Sequence, residues 1–191
     1  MKRIILTVIL LTVYIAIFYT TNIAYNIGSI GPAGGHIFYD KGHVSDGWRY
    51  LEAAPAEYEF VALFGSYKFD VKGTAVDIGA GKKNTEMILT SLEFLGQTGM
   101  AAQICTELVI NGVSDWFIPS REELYLMYQN LFLHDIGGFC QVEDREIWKD
   151  WYYWSSTQYS HINFWIVGFE FGNKFFNWKY NPGRVRPVRA F

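Results

Sequence analysis

An α+β domain is what the sequence predicts, and three observations lead there. Half of the 191 residues are apolar and 18% are charged, enough to bury a sizeable core. Short apolar runs broken by glycine and turn residues lie towards both ends of the chain. Between them, residues 84–131 carry apolar positions at helical spacing. Strands at both ends around two or three helices predict twisted antiparallel sheets in which the N- and C-terminal strands pair.

The chain opens with Lys2 and Arg3 followed by "IILTVILLTVYIAIFY", residues 4–19, which carry no charge. A positive start before an apolar run is an export signal, so the protein is expected in the periplasm, at the cell surface or secreted. Residues 1–24 are read as a signal peptide ending at Ala24, or as an uncleaved membrane anchor, because Asn22 is a poor residue at the position three before such a cut. A buried N-terminal helix is the plain alternative. No cysteine follows the run, which argues against a lipid anchor. Residues 25–35 read as a flexible leader and 36–191 as the domain.

Within the domain, "HIFYD" (36–40) and "WRYLEAAP" (48–55) read as strands around a turn, and residues 56–83 as loops with short strands. Asn84 is expected to cap a helix carrying Met87, Ile88, Leu92 and Leu95 and broken at Gly96. A second helix should begin near Gly99 and stop at Gly112. "PSREEL" holds a capping box, Ser120 with Glu123, ahead of a helix that buries Leu124, Met127, Tyr128 and Leu131. "NFWIVGFEF", a turn at Gly172–Asn173 and "KFFNWKY" read as a hairpin, and "RVRPVRAF" as one closing strand.

Several chemistries are excluded. Without residues 1–24 the chain has 14 Lys and Arg against 19 Asp and Glu, the opposite of a nucleic-acid binder. "GAGKKNT" (79–85) lacks the first glycine and the Ser/Thr of a phosphate loop. The four histidines are scattered and "DKGHVSDG" lacks the alternation of a calcium loop, so neither metal nor cofactor is expected. No nucleophile-elbow motif surrounds Ser155 or Ser156, and no catalytic residues are assigned. Arg184, Arg186 and Arg189 read as partners of carboxylates such as Glu52 or Glu123, with an anion site as the alternative. Cys105 and Cys140 either form a disulfide or are two buried thiols.

The tail poses the functional question. Five of seven tryptophans and fourteen aromatics lie between Trp148 and Tyr180. Trp154, Trp165 and Phe169 suit a core. Tyr159, Ser160, His161, Asn163, Asn173, Asn177, Tyr180 and Asn181 gather near strand ends, and rings mixed with amides make the composition of a recognition surface. Ordinary turn chemistry explains the asparagines equally well.

In order along the chain, "GPAGGHIFYDKG", "SDGWRYLEAAP", "GKKNTEMI", "AAQIC", "GVSDWFIPSREELYLMY", "GGF", "YWSST" and "VRPVRAF" resemble the Lcl C-terminal domain-like family, over residues 31–191. That family is named for a domain of a collagen-like bacterial adhesin. The resemblance implies a C-type-lectin-like fold of the formylglycine-generating-enzyme type, in an exported protein. The enzymes of that type use paired cysteines near the C-terminus, which residues 141–191 lack, so the chemistry is not carried over. Some proteins of this fold are diversified by retroelements, and Ser156–Asn181 looks like such a segment. On that reading Tyr159, His161, Asn163, Trp165, Asn173, Phe175, Asn177 and Trp178, together with Tyr180, form a face for a glycan or protein ligand. A structural envelope protein whose aromatics are all core is the competing expectation. Nucleic acid is not an expected partner, and a membrane is one only through residues 4–19.

Overall fold

The computed structural model describes residues 24–66, 70–139 and 152–191. Two sheets and three helices make up the domain among these residues. A three-stranded sheet orders β1 (His36–Ser45), β2 (Trp48–Ala53) and β8 (Val188–Ala190) side by side. A five-stranded sheet runs β3 (Phe60–Leu63), β7 (Pro182–Val185), β4 (Tyr152–Ser160), β5 (Asn163–Gly168) and β6 (Asn173–Trp178). All strand pairs are antiparallel except β4 with β7. The α+β class is observed, but the first and last strands do not pair directly: β8 joins the sheet on β2, with β1 on its other side, and Arg49 N donates to Phe191 O.

The five-stranded sheet is covered on both faces. Tyr152, Trp154, Phe164 and Ile166 point into a core shared with α1 (Gly81–Phe94) and α2 (Ala101–Thr106), where Ile88, Leu92 and Cys105 are buried. Tyr153, Val167 and Phe169 point the other way, into a core with Leu124 and Met127 of α3 (Arg121–Asn130) and Phe38 and Leu51 of the smaller sheet. Hence β5 is not the half-buried strand its alternation suggests, but is covered on both sides.

The local signals hold unevenly. Ser120 accepts from Glu123 N while the Glu123 carboxylate accepts from Ser120 N, the capping box read from "SREE". Asn84 caps nothing. The helix begins three residues earlier, at Gly81, and buried Asn84 clasps Ala75, donating to its carbonyl (2.7 Å) and accepting from its amide (2.9 Å). The second helix stops at Thr106 rather than running on towards Gly112. "RVRPVRAF" is two strands in two sheets: the chain crosses at Arg186–Pro187, where proline has no N–H to continue a ladder. Residues 25–35 are not a loose leader. Gly28 N donates to Ile37 O, and Tyr25 packs edge-on against Tyr50 and Phe191.

"GPAGG" wraps a buried carboxylate. Ala33 N and Gly35 N donate to Glu52, whose other partner is Arg189, itself held by Asp115. Burial raises the Glu52 carboxyl above its ordinary range against the pull of these donors. A Cβ on Gly35 would stand 1.9 Å from Ala53 O. Gly35→Ala is therefore expected to cost about 2 kcal/mol by forcing the loop off β2, read as a lower urea midpoint at unchanged slope.

Cys105 is a free, buried thiol whose pKa burial raises, and its candidate partner Cys140 lies outside the described residues. No helix among the described residues is long and apolar enough to cross a membrane, and residues 4–19 are not among them.

Candidate ligand-binding face

The face arises where α3 ends its cover of the sheet. Register pairs Trp165 with Phe176 and Asn163 with Trp178, so Lys174, Phe176 and Trp178 share the side of β6 that continues from Val167 and Trp165. The helix packs over Val167 but begins at Arg121, whose guanidinium lies 4.7 Å over the Trp165 ring. Beyond that point the rings meet solvent.

They are ordered by one another. Tyr159 stacks flat on Phe176, centroids 4.2 Å apart and 4° from parallel, with its edge against Trp165 at 5.0 Å. Trp178 stacks on Tyr180 at 5.7 Å and 14°. Exposure is 50% for Tyr159, 47% for Phe176, 50% for Trp178 and 45% for Tyr180, so each keeps about half its surface open. β6 is the last strand of its sheet, which leaves these rings at an edge.

Charge borders the rings on one side. Glu122 accepts from Lys174 (2.6 Å) and pairs with Arg121 (2.6 Å). Burial alone would raise the Glu122 carboxyl, but the hydrogen bonds from Lys174 and Arg121 outweigh it and hold it below the usual range. Lys174 also lies 3.9 Å over the Tyr125 ring. Next to this cluster a hollow of about 320 Å³ is lined by Asp77, Ile78, Glu122, Tyr125, Leu126 and Gln129.

Of the residues expected to form the face, Tyr159, Trp165, Trp178 and Tyr180 come together here. His161 and Asn173 are exposed at the two turns flanking β5. Asn163, Phe175 and Asn177 are scaffold instead. Asn163 is buried and accepts from Ser160 Oγ. Phe175 packs on the opposite core, and Asn177 donates to Tyr152 Oη (2.8 Å) while accepting from Trp178 N and Asn181 Nδ2. Phe176, Arg121, Glu122 and Lys174 were missed. For Phe176 the signal was strand phase; the other three are joined across 52 residues, which sequence spacing does not show.

The first amides near "GAGKKNT" face inward, Gly79 N and Gly81 N both donating to Glu123. Asp40, of the acidic turn, takes two hydrogen bonds from Arg49 and one from Gly42 N, which hold its carboxyl below the usual range against burial. Ser155 and Ser156 are buried and donate to Trp165 O and Pro119 O, while His161 is exposed at the turn. Among the described residues no group of three or more His, Cys, Asp or Glu side chains is placed to hold a metal ion.

No family model matches the sequence, and no curated protein matches it. Among solved structures the chain is similar to a fimbrial protein from Bacteroides ovatus ATCC 8483. The TM-score is 0.52 and the identity 15%, over 75% of this chain and 36% of that one. The chain thus spans little more than a third of that neighbour's length, and at this identity the likeness is one of fold.

Proposed function

We propose that this chain is an exported, non-catalytic binding domain of the C-type-lectin-like, Lcl C-terminal kind, which recognises a glycan at the cell surface. One observation carries the reading: four large rings, each about half exposed, stand in two stacked pairs beside an Arg–Glu–Lys cluster. Rings without such a role are buried or scattered singly. A pyranose offers a flat C–H face to an open ring and hydroxyls to flanking charged groups. The Glu122 carboxylate and the Arg121 and Lys174 donors sit beside the rings for that purpose. Because the rings hold each other in place, little side-chain freedom is lost on binding. The fimbrial neighbour supports a surface setting in general terms.

The test is a glycan array probed with the full chain. Binding to a restricted set of glycans is expected, with Trp178→Ala and Phe176→Ala each weakening it about tenfold. Both side chains are half exposed, so thermal unfolding should move little. Binding unchanged in both variants, or no glycan bound at all, overturns the proposal. If Ser156–Asn181 is diversified, variation should fall on Tyr159, His161, Asn173, Phe176, Trp178 and Tyr180 and spare Asn163 and Asn177. An adenine-rich near-repeat in the neighbouring DNA would reveal it.

A further inference from the structure

A second hollow, of about 370 Å³, lies between the smaller sheet and the first turn of α1. Its floor is Leu51 and Phe117, both buried, and its wall is the half-buried Trp48. The indole is fixed on two sides. Lys41 Nζ stands 3.7 Å over the ring, and Gly79 lies against its edge, where a Cβ would come within 3.0 Å of Cζ2.

The rim carries Lys82 and Lys83, both exposed. Each arginine among the described residues is in an ion pair, whereas these two lysines are in none. Near this helix start Gly79 N and Gly81 N are committed to Glu123. The cationic side chains lining the groove are those of Lys82 and Lys83. Two acids also face it: Glu86, one turn further along α1, and Asp46, which is paired with Lys41 at 3.4 Å.

We propose that this groove is a ligand site separate from the aromatic face, taking a small monocarboxylate with a planar apolar body. The body lies on Leu51 and Phe117 against Trp48, and the carboxylate sits between Lys82 and Lys83. Glu86 and Asp46 select against a second negative group. The volume suits a molecule of one or two rings.

Calorimetric titration of the full chain with phenylacetate, and with the neutral phenylacetamide, tests this. Phenylacetate is expected to bind with a dissociation constant on the order of millimolar, and the amide about fivefold more weakly. Lys82→Ala/Lys83→Ala should remove that preference, and the two exposed changes leave the fold intact. Trp178→Ala should alter neither affinity, which separates this site from the glycan reading. Equal affinity for acid and amide, an unchanged preference in the double variant, or no saturable binding overturns the proposal.

Discussion

Glu59→Gln should lower the stability of this domain by about 3–5 kcal/mol, the range for removing one partner of a buried ion pair. Arg186 is 1% exposed, and its guanidinium donates to Glu59 Oε2 through both Nε (3.1 Å) and Nη2 (2.7 Å). It also donates to the carbonyls of Ala54, Gly137 and Gly138, and lies 4.2 Å over the Phe139 ring. Arg184 and the Tyr153 hydroxyl converge on the same carboxylate. An amide at residue 59 removes the charge and turns an N–H towards donors that need an acceptor. Arg186 sits where the chain passes from the five-stranded to the three-stranded sheet, so loosening it loosens both. Urea unfolding at pH 7 reads the loss as a lower midpoint. Replacing Arg186 by Met in the same variant should restore part of it, since the buried guanidinium that has lost its counter-ion is then gone. Full stability in Glu59→Gln alone would show that the pair is worth no more than a surface salt bridge.

That junction also shows why the sequence could be read only so far. The alternation in "RVRPVRAF" is the same whether the run makes one strand or two; Pro187 marks where a ladder breaks, and only the fold shows that the halves join different sheets. The capping box of Ser120 and Glu123 was readable because its partners lie three residues apart. Asn84 has the composition of a cap, but its contact is nine residues back and depends on where the loop at Ala75 is held. The same limit applies to the face. Adjacent Phe175 and Phe176 are equivalent in composition, and the β5–β6 register sends one to the core and the other to solvent. The aromatic tail is therefore both core and face, divided strand by strand.

The short motifs behind the family resemblance make another pattern. Ser156 Oγ donates to Pro119 O, Thr157 Oγ1 donates to Ala75 O, and Arg121 N donates to Thr157 Oγ1. Asp115 holds Arg189 of the last motif, while the first motif encloses Glu52 of the second. Each joins a helix start or a loop to a strand, and none of these polar atoms lies on the aromatic face. The motifs supply much of the scaffold, and Arg121 and Glu122 of one of them also border the face, whereas its rings lie between motifs. Such a division lets a face change while the fold persists.

The strongest test of that scaffold is Glu123. Its carboxylate is fully buried and accepts from Ser120 N and Gly79 N at 2.7 Å and from Gly81 N at 3.4 Å, tying the start of α3 to that of α1. Glu123→Ala leaves three amides without their acceptor and should cost about 3–5 kcal/mol. The group also titrates in a telling range. Burial raises its pKa from 4.5 to about 7, against the pull of those amides. A carboxyl whose pKa is higher folded than unfolded binds its proton more tightly in the native state. The stability it confers is full below 4.5 and is lost as pH rises through 7. Between pH 5.5 and 8 the loss should be about 2 kcal/mol, from the 1.36 kcal/mol that accompanies each pKa unit. Glu52, raised in the same direction, adds to the slope. Glu123→Gln cannot titrate, so its unfolding free energy should vary less across that interval than that of the native chain. Parallel pH profiles for the two proteins would mean that Glu123 stays ionised throughout, with its three amides outweighing burial.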